Sequence, residues 1–364
     1  DASLTWLSRP NTTEPDEALF QARLVGLSQA GIGYLQSKEP LVPAAGELVA
    51  GSSLYEHRNG LTQLVNVADD GSLVSKCGAV LGDANWNPVF DGYANTLDAN
   101  SLNGGIQGSS SASGARIFFT APDGNAHGSG DLSCEAPPQL YLREDGEHTI
   151  RISASQRSVP DVEKAAHFVG ASSDGSKAFF LTDEALTNDA TPNAHLGGTG
   201  RLYEYDVPSH RLRLLAQAEP GQDLFVSRVS ADGSRVYLIR QQGTSSVFET
   251  YANNTLTPIV NLVEDAGKVL AIWPPPVKTT RDGRYVLFTS TNDLTSFESH
   301  GAAQVYLWDA DKGGPPVCLS CAIPDTAKPK GAELGGDLSA RLLVTKPELL
   351  SLIHISEPTR RTPI

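Results

Sequence analysis

The sequence of 364 residues holds no methionine, only four cysteines, eight histidines, and no apolar run longer than a handful of residues. Each scarcity excludes something. Runs this short leave no segment able to cross a bilayer as a helix. Basic residues are also few, 28 against 42 acidic, for a net charge of −14. Such a surface repels phosphate backbones and anionic lipids, so neither nucleic acid nor a membrane is an expected partner. The missing methionine, with Asp1 first, points to an N-terminus that is processed or missing, and the lack of a visible signal peptide then carries no weight. Arginine outnumbers lysine, 18 to 10, a compositional mark of a GC-rich genome.

Catalytic motifs are missing too. No G-x-S-x-G elbow occurs, and "GSSSASG" reads as a flexible loop before a strand. There is no H-E-x-x-H, and the histidines stand singly, His127 and His195 in loops among them. "GIG" at Gly31 lacks the third glycine and the helix of a dinucleotide site. No catalytic residue and no cofactor is expected within this stretch of chain.

What is present is turn chemistry: 34 glycines, 23 prolines and 40% hydrophobic residues, the make-up of a folded, loop-rich chain. Five stretches align: "AGIGYL…SSLYEHRNGLTQLV", "SGARIFF…PQLYLREDGEHTIRI", "DGSKAFF…GRLYEYDVPSHRLRLL", "DGSRVYL…SSVFETYANNTLTPIV" and "DGRYVLF…AQVYLWDADKGGPPVCL". A sixth begins at "SARLLV", Ser339 to Val344. The turn glycines Gly31, Gly114, Gly175, Gly233 and Gly283, with Ala340 in the sixth place, are separated by 83, 61, 58, 50 and 57 residues. The first gap is read as an insertion over about 67–111. Asp174–Gly175, Asp232–Gly233 and Asp282–Gly283 supply the positive φ of hairpin turns. The runs after them are β-rich and too short for helices.

With the strand before each turn ("HFVGAS", "LFVSRVS"), every unit holds four strands. One such sheet cannot bury both faces, so copies must stack. The expected fold is therefore all-β, a β-propeller of four-stranded blades, incomplete, with five readable blades and part of a sixth. Residues 1–20 are a lead-in or the remnant of a preceding strand, and 21–349 are the propeller.

The even cysteine count points to disulfides: Cys318 with Cys321 across the turn of "CLSC", and Cys77 with Cys134. The alternative, a four-thiolate zinc site, would want a second C-x-x-C. The expected location is extracellular or the cell envelope. Asp309 and Asp311 in "DADKGG" have calcium-loop spacing, but the later ligand positions hold Gly313 and Ser320, and the stretch falls at a hairpin turn. Asn188, Asp189, Asn292 and Asp293 occupy equivalent loops, where Asx-turns account for them. Tyr55, Tyr141, Tyr203 and Tyr306 recur at one unit position and are expected to pack between blades. Trp86 and Tyr93, set among Asn and Asp in the insertion, are candidates for stacking on a sugar ring; alternatively Trp86 anchors the insertion.

"SSDGSKAFFLTDEAL", "VSADGSRVYLI" and "TTRDGRYVLFTS" resemble the WD40-like, TolB-type propeller repeat. "LYLREDGEHTIRISASQ", "LYEYDV" and the late "CLSC" are similar to uncharacterised secreted actinobacterial proteins. The resemblance covers about residues 20–345. Units one, two and six depart from it, with Ala-Gly, Ser-Gly and Ser-Ala at the turn. It implies a fold that hosts binding scaffolds and enzymes alike. The expected function is a non-catalytic exported module that recognises a protein or glycan at the cell envelope. The alternative is the propeller domain of a prolyl-oligopeptidase-like serine peptidase, with its α/β-hydrolase domain beyond this stretch.

The ending "LSLIHISEPTR" does not continue the repeat. It back-translates, codon for codon, to the transposase adapter used in sequencing-library preparation. Residues 350–364 are accordingly expected to be adapter-derived rather than native. A propeller cut in mid-blade would expose an open edge, and self-association on expression is expected.

Overall fold

A computed structural model of the chain describes residues 22–43, 48–83, 108–122, 134, 136–192, 200–263 and 277–321. Among them the only extended elements are strands, arranged as five antiparallel four-stranded sheets in which chain neighbours pair. Blade 1 comprises β1 (Ala22–Leu27), β2 (Gly33–Ser37), β3 (Ser53–Arg58) and β4 (Leu61–Leu64). Blade 2 comprises β5 (Val80–Leu81), β6 (Arg116–Pro122), β7 (Pro138–Glu144) and β8 (His148–Arg151). In blade 3 the strands are β9 (Ala166–Ala171), β10 (Lys177–Thr182), β11 (Arg201–Asp206) and β12 (Arg211–Gln217). Blade 4 holds β13 (Asp223–Val229), β14 (Arg235–Gln242), β15 (Ser245–Ala252) and β16 (Thr255–Val263). Blade 5 holds β17 (Val277–Thr279), β18 (Tyr285–Ser290), β19 (Gln304–Asp309) and β20 (Val317–Cys318). Blades 1–4 belong to one unit, Asp1–Val263, and blade 5 to a second, Glu264–Ile364. The fold is an all-β propeller of four-stranded blades. The sixth repeat at 339–344 lies outside the described residues.

The turn between the first two strands shows why the repeat is written as it is. In blade 3, Ser172 Oγ accepts from Lys177 N at 3.0 Å and donates to Asp174 Oδ1 at 2.6 Å. Asp174 Oδ1 also accepts from Ser176 N at 2.9 Å. Blade 4 repeats the pattern with Ser230, Asp232 and Ser234, and blade 5 with Thr280 and Asp282. Gly175, Gly233 and Gly283 close these turns at φ of 70°, 66° and 69°. Blade 2 has no aspartate there; Ser113 takes its part, accepting from Ala115 N at 3.2 Å. Blade 1 drops one residue, and Ser28 Oγ accepts from Ile32 N. Partial burial works against ionised Asp174 and Asp232, but the serine hydrogen bonds outweigh it and hold both carboxyls below the usual range.

The same turns join the blades of the first unit. Ala30 N donates to Ala112 O (3.1 Å), Ala112 N to Ser173 O (2.7 Å) and Ser173 N to Ala231 O (2.5 Å). The first strands β9 and β13 also lie beside each other. Apolar side chains fill the spaces between sheets. Tyr34, Leu54, Ile117 and Phe119 pack between blades 1 and 2, and Phe118 stacks on Phe168 at 5.5 Å between blades 2 and 3. Phe179, Leu202, Leu224 and Leu238 pack between blades 3 and 4. Burying each such side chain contributes about 1.5–3 kcal/mol.

Blade 2 differs in its first strand. In blades 1, 3 and 4 that strand bulges at one residue, between Leu24 and Gly26, opposite Phe179/Phe180, and between Val226 and Arg228. In blade 2 the strand is split at the same level: Val80 and Leu81 pair with Thr120 and Phe119, whereas Ser110 pairs with Ile117. The stretch expected as an insertion over 67–111 thus contains the blade's own first strand, and 84–107, between the two parts of that strand, lie outside the described residues. A bulge already leaves one residue unpaired, so extra chain can be added there without breaking the ladder on either side. Gly108 sits against the backbone of Ala171, where a Cβ would lie 2.7 Å from its carbonyl oxygen.

Candidate functional site

Within each blade, one end carries the tight β1–β2 and β3–β4 type turns. The other carries the loop between the second and third strands and the connection to the next blade. The second end is the candidate site, and blade 3 shows how it is built.

The loop that begins at Asp183 is held from below by β11. Tyr203, fully buried, accepts from Leu186 N at 2.9 Å and donates to Glu184 O at 3.4 Å. Arg201, also fully buried, donates to the carbonyls of Asp183 and Thr191 and to Gln217 Oε1. From the side, the blade 2–3 connection is joined to the loop reciprocally. Lys164 N donates to Glu184 Oε2 at 3.1 Å, and Ala185 N donates to Asp161 Oδ2 at 3.2 Å. Arg157 reaches the carbonyls of Thr187 and Ala190, and Ser158 donates to Asn188 Oδ1. Burial pushes the Glu184 carboxyl up to about 7, and the Lys164 hydrogen bond and the Arg151 charge offset only part of that. Arg151 itself pairs with Glu163.

Tyrosines do the same in other blades. Tyr55 OH accepts from Leu41 N (3.3 Å), and in blade 5 Tyr306 OH donates to Asn292 O (3.0 Å). These residues do more than the packing between blades expected of them. The hydroxyls of Tyr55, Tyr203 and Tyr306 also hold the loop of their own blade. Three of the rings also stack on a second-strand aromatic: Phe119–Tyr141, Phe180–Tyr203 and Phe288–Tyr306, at 5.4, 5.7 and 5.7 Å.

Beside this loop, the first strands of blades 2 and 3 carry a histidine–aspartate pair. His167 Nδ1 lies 3.0 Å from Asp83 Oδ2. Burial opposes protonation of the imidazole, but the Asp83 hydrogen bond and the charges of Asp83 and Asp183 outweigh it and raise its pKa. Nothing in the sequence signalled this pair. Its members are 84 residues apart, and a lone histidine in a strand is ordinarily structural.

Other expected site residues fall as follows. Cys77 is bonded to Cys134, tying the blade 1–2 connection to the β6–β7 loop, and Cys318 is bonded to Cys321. No cysteine among the described residues is free, so no thiolate set is open to zinc. The calcium candidates Asp309 and Asp311 flank a cation already: both carboxylates lie 3.2 Å from the Arg284 guanidinium. Asp309 Oδ1 also accepts from Asp311 N, which makes the stretch a hairpin turn. Asn188 and Asp293 cap loop backbone, the latter accepting from Ser299 N at 2.9 Å. Asp174, Gly175, Asp232, Gly233, Asp282 and Gly283 lie in the tight turns at the opposite end. Trp86, Tyr93, His127 and His195 lie outside the described residues.

No family model matches the sequence, and no curated protein matches it. Solved structures are similar to it at low identity. A post-proline cleaving enzyme from Rickettsia typhi is 12% identical over 85% of this chain and 37% of its own length, with a TM-score of 0.40. A protein assigned as TolB from Agrobacterium tumefaciens is 13% identical over 82% of this chain and 80% of its own, with a TM-score of 0.35. An oligogalacturonate lyase from Vibrio parahaemolyticus is 9% identical over 86% and 85%, with a TM-score of 0.33. This chain therefore spans about a third of the length of the first of them. Likenesses of this order say nothing of activity.

Proposed function

We propose that this chain is a non-catalytic recognition module that meets a protein or glycan at the cell envelope through the loop-bearing end of its blades. The observation that supports this is the described part of the blade 3 loop, 183–192, held by two buried side chains below and by the connection beside it. A loop ordered before binding loses little entropy on contact, which is how a surface without deep chemistry gains affinity. The two disulfides favour an oxidising compartment.

The test is saturable binding of the purified chain to isolated cell walls, before and after the walls are stripped of protein. Retention after stripping assigns a glycan, and loss assigns a protein. Covalent labelling by a fluorophosphonate, or cleavage of a prolyl peptide, would instead establish the peptidase alternative.

A further inference from the structure

We propose that the Cys318–Cys321 disulfide is a thiol–disulfide exchange site. It accepts two electrons from a dithiol reductant at the loop-bearing end of blade 5, and the blade stays folded when it does. The inference goes beyond the recognition reading and does not depend on it.

Blades 1, 2 and 5 finish their fourth strand with the same turn, and only blade 5 adds a disulfide to it. In blade 5, Cys318 ends β20 opposite Tyr306. Leu319 N then donates to Val305 O at 2.8 Å. Ser320 Oγ accepts from Val305 N at 3.0 Å and donates to Gln304 Oε1 at 2.6 Å. In blade 2, Arg151 lies opposite Tyr141, and Ile152 N donates to Leu140 O at 2.9 Å. Ser153 Oγ accepts from Leu140 N at 3.1 Å and donates to Gln139 Oε1 at 2.7 Å. Blade 1 has Leu64 opposite Tyr55, and Asn66 takes the serine's place, its Oδ1 accepting from Leu54 N at 2.9 Å. The positions of Cys318 and Cys321 are thus held by Leu64 and Val67 in blade 1 and by Arg151 and Ala154 in blade 2.

The turn therefore forms without a covalent bond, and Ser320 rather than the disulfide carries it. Stability gives the bond little further reason. A cross-link constrains the unfolded chain less as the loop it closes shortens, and the separation here is 3 residues against 57 for Cys77–Cys134. Access points the same way. Cys318 and Cys321 are both partly exposed, whereas Cys134 is 7% exposed. An attacking thiolate must reach a sulfur, so the bond open to approach is the one that exchanges.

The step balances as follows. A thiolate of the reductant attacks one of the two sulfurs, the Cys318–Cys321 bond breaks, and a mixed disulfide forms. The other cysteine leaves as a thiolate and takes a proton from water. The second thiol of the reductant, deprotonated, then displaces the first cysteine, which is protonated in turn. The reductant ends as a disulfide, and Cys318 and Cys321 end as two thiols.

The test is titration of the full chain with dithiothreitol as the dithiol, with free thiols alkylated and located by mass spectrometry. Cys318 and Cys321 are expected to be alkylated at concentrations about tenfold or more below those that expose Cys77 and Cys134. The far-ultraviolet spectrum should not change over that first step. Hydrogen exchange at the Val305 N–H should stay slow in the reduced wild-type chain and in the Cys318→Ser, Cys321→Ser double variant. It should become fast in Ser320→Ala, which removes the acceptor. The wild-type titration carries the test even where a variant does not fold. The proposal is overturned if both disulfides open at the same concentration, if the spectrum collapses as Cys318 and Cys321 are reduced, or if Val305 exchanges fast in the reduced chain.

Discussion

In blade 3, 18 residues separate the second strand from the third; in blade 4, two do. The difference reaches the core of each sheet. In blade 3, Phe180 pairs with Tyr203, whose hydroxyl holds the loop. In blade 4 the matching pair is Leu238 and Glu249. With only Gly243 and Thr244 at the hairpin there is no loop backbone to hold, and a tyrosine hydroxyl would be left without that partner. Glu249 instead pairs with Arg240 at 3.3 Å, and Arg240 also donates to Gln217 O of blade 3. Burial raises the Glu249 carboxyl, and Arg240 opposes that. One repeat position thus serves two ends: positioning a recognition loop in one blade, and joining neighbouring blades in the next.

The comparison can be broken at several points, the largest effect first. Replacing Cys77 and Cys134 together by serine removes the tether of the blade 2 loop. Chain-entropy arguments put the loss at about 4 kcal/mol for a 57-residue separation, read as a lower midpoint in urea. Glu249→Ala should cost about 3 kcal/mol, because it leaves the largely buried Arg240 without its carboxylate. Arg240→Ala combined with it should cost less than the sum of the two, and an additive double-mutant cycle would show that the pair does not act as one.

Tyr203→Phe should cost about 1–2 kcal/mol, since Leu186 N–H and Glu184 C=O lose a shared partner. Hydrogen exchange should rise at Leu186 and stay unchanged in blade 4. A uniform rise across both blades would mean that the hydroxyl is not a local device.

The last effect is the one set by pH. Glu184 is held at about 7 in the fold but has an ordinary value of 4.5 when unfolded, so folding takes up a proton between these values. Its contribution to stability is full below 4.5 and is lost as pH rises through about 7. His167, raised above 6.5, acts in the same direction, with its contribution lost above that value. Glu184→Gln should therefore raise the melting temperature at pH 8 and leave it almost unchanged at pH 5. Equal shifts at both values would refute the assignment of the proton to Glu184.

Much of this was legible in the residues. The Ser-x-Asp-Gly turns, the alternation in "GRLYEYDV" and the spacing of the turn glycines all reflect contacts within about ten residues, and local chemistry determines those. The recurring tyrosines were visible as well. Their partners were not, because a hydroxyl that reaches back 12 to 17 residues to loop backbone leaves no pattern in the side chains it touches. The split of the first strand of blade 2 was not visible, since strand register is fixed by pairing rather than by composition.

By itself, then, the sequence determined the repeated four-stranded unit, its turns and the need for units to stack. Only the tertiary structure decided which residues meet between units. Asp83 and His167, Arg240 and Gln217, and Asp161 and Ala185 come together because blades pack side by side. Packing of that kind places residues far apart in the chain within hydrogen-bond reach, while leaving no periodicity along it.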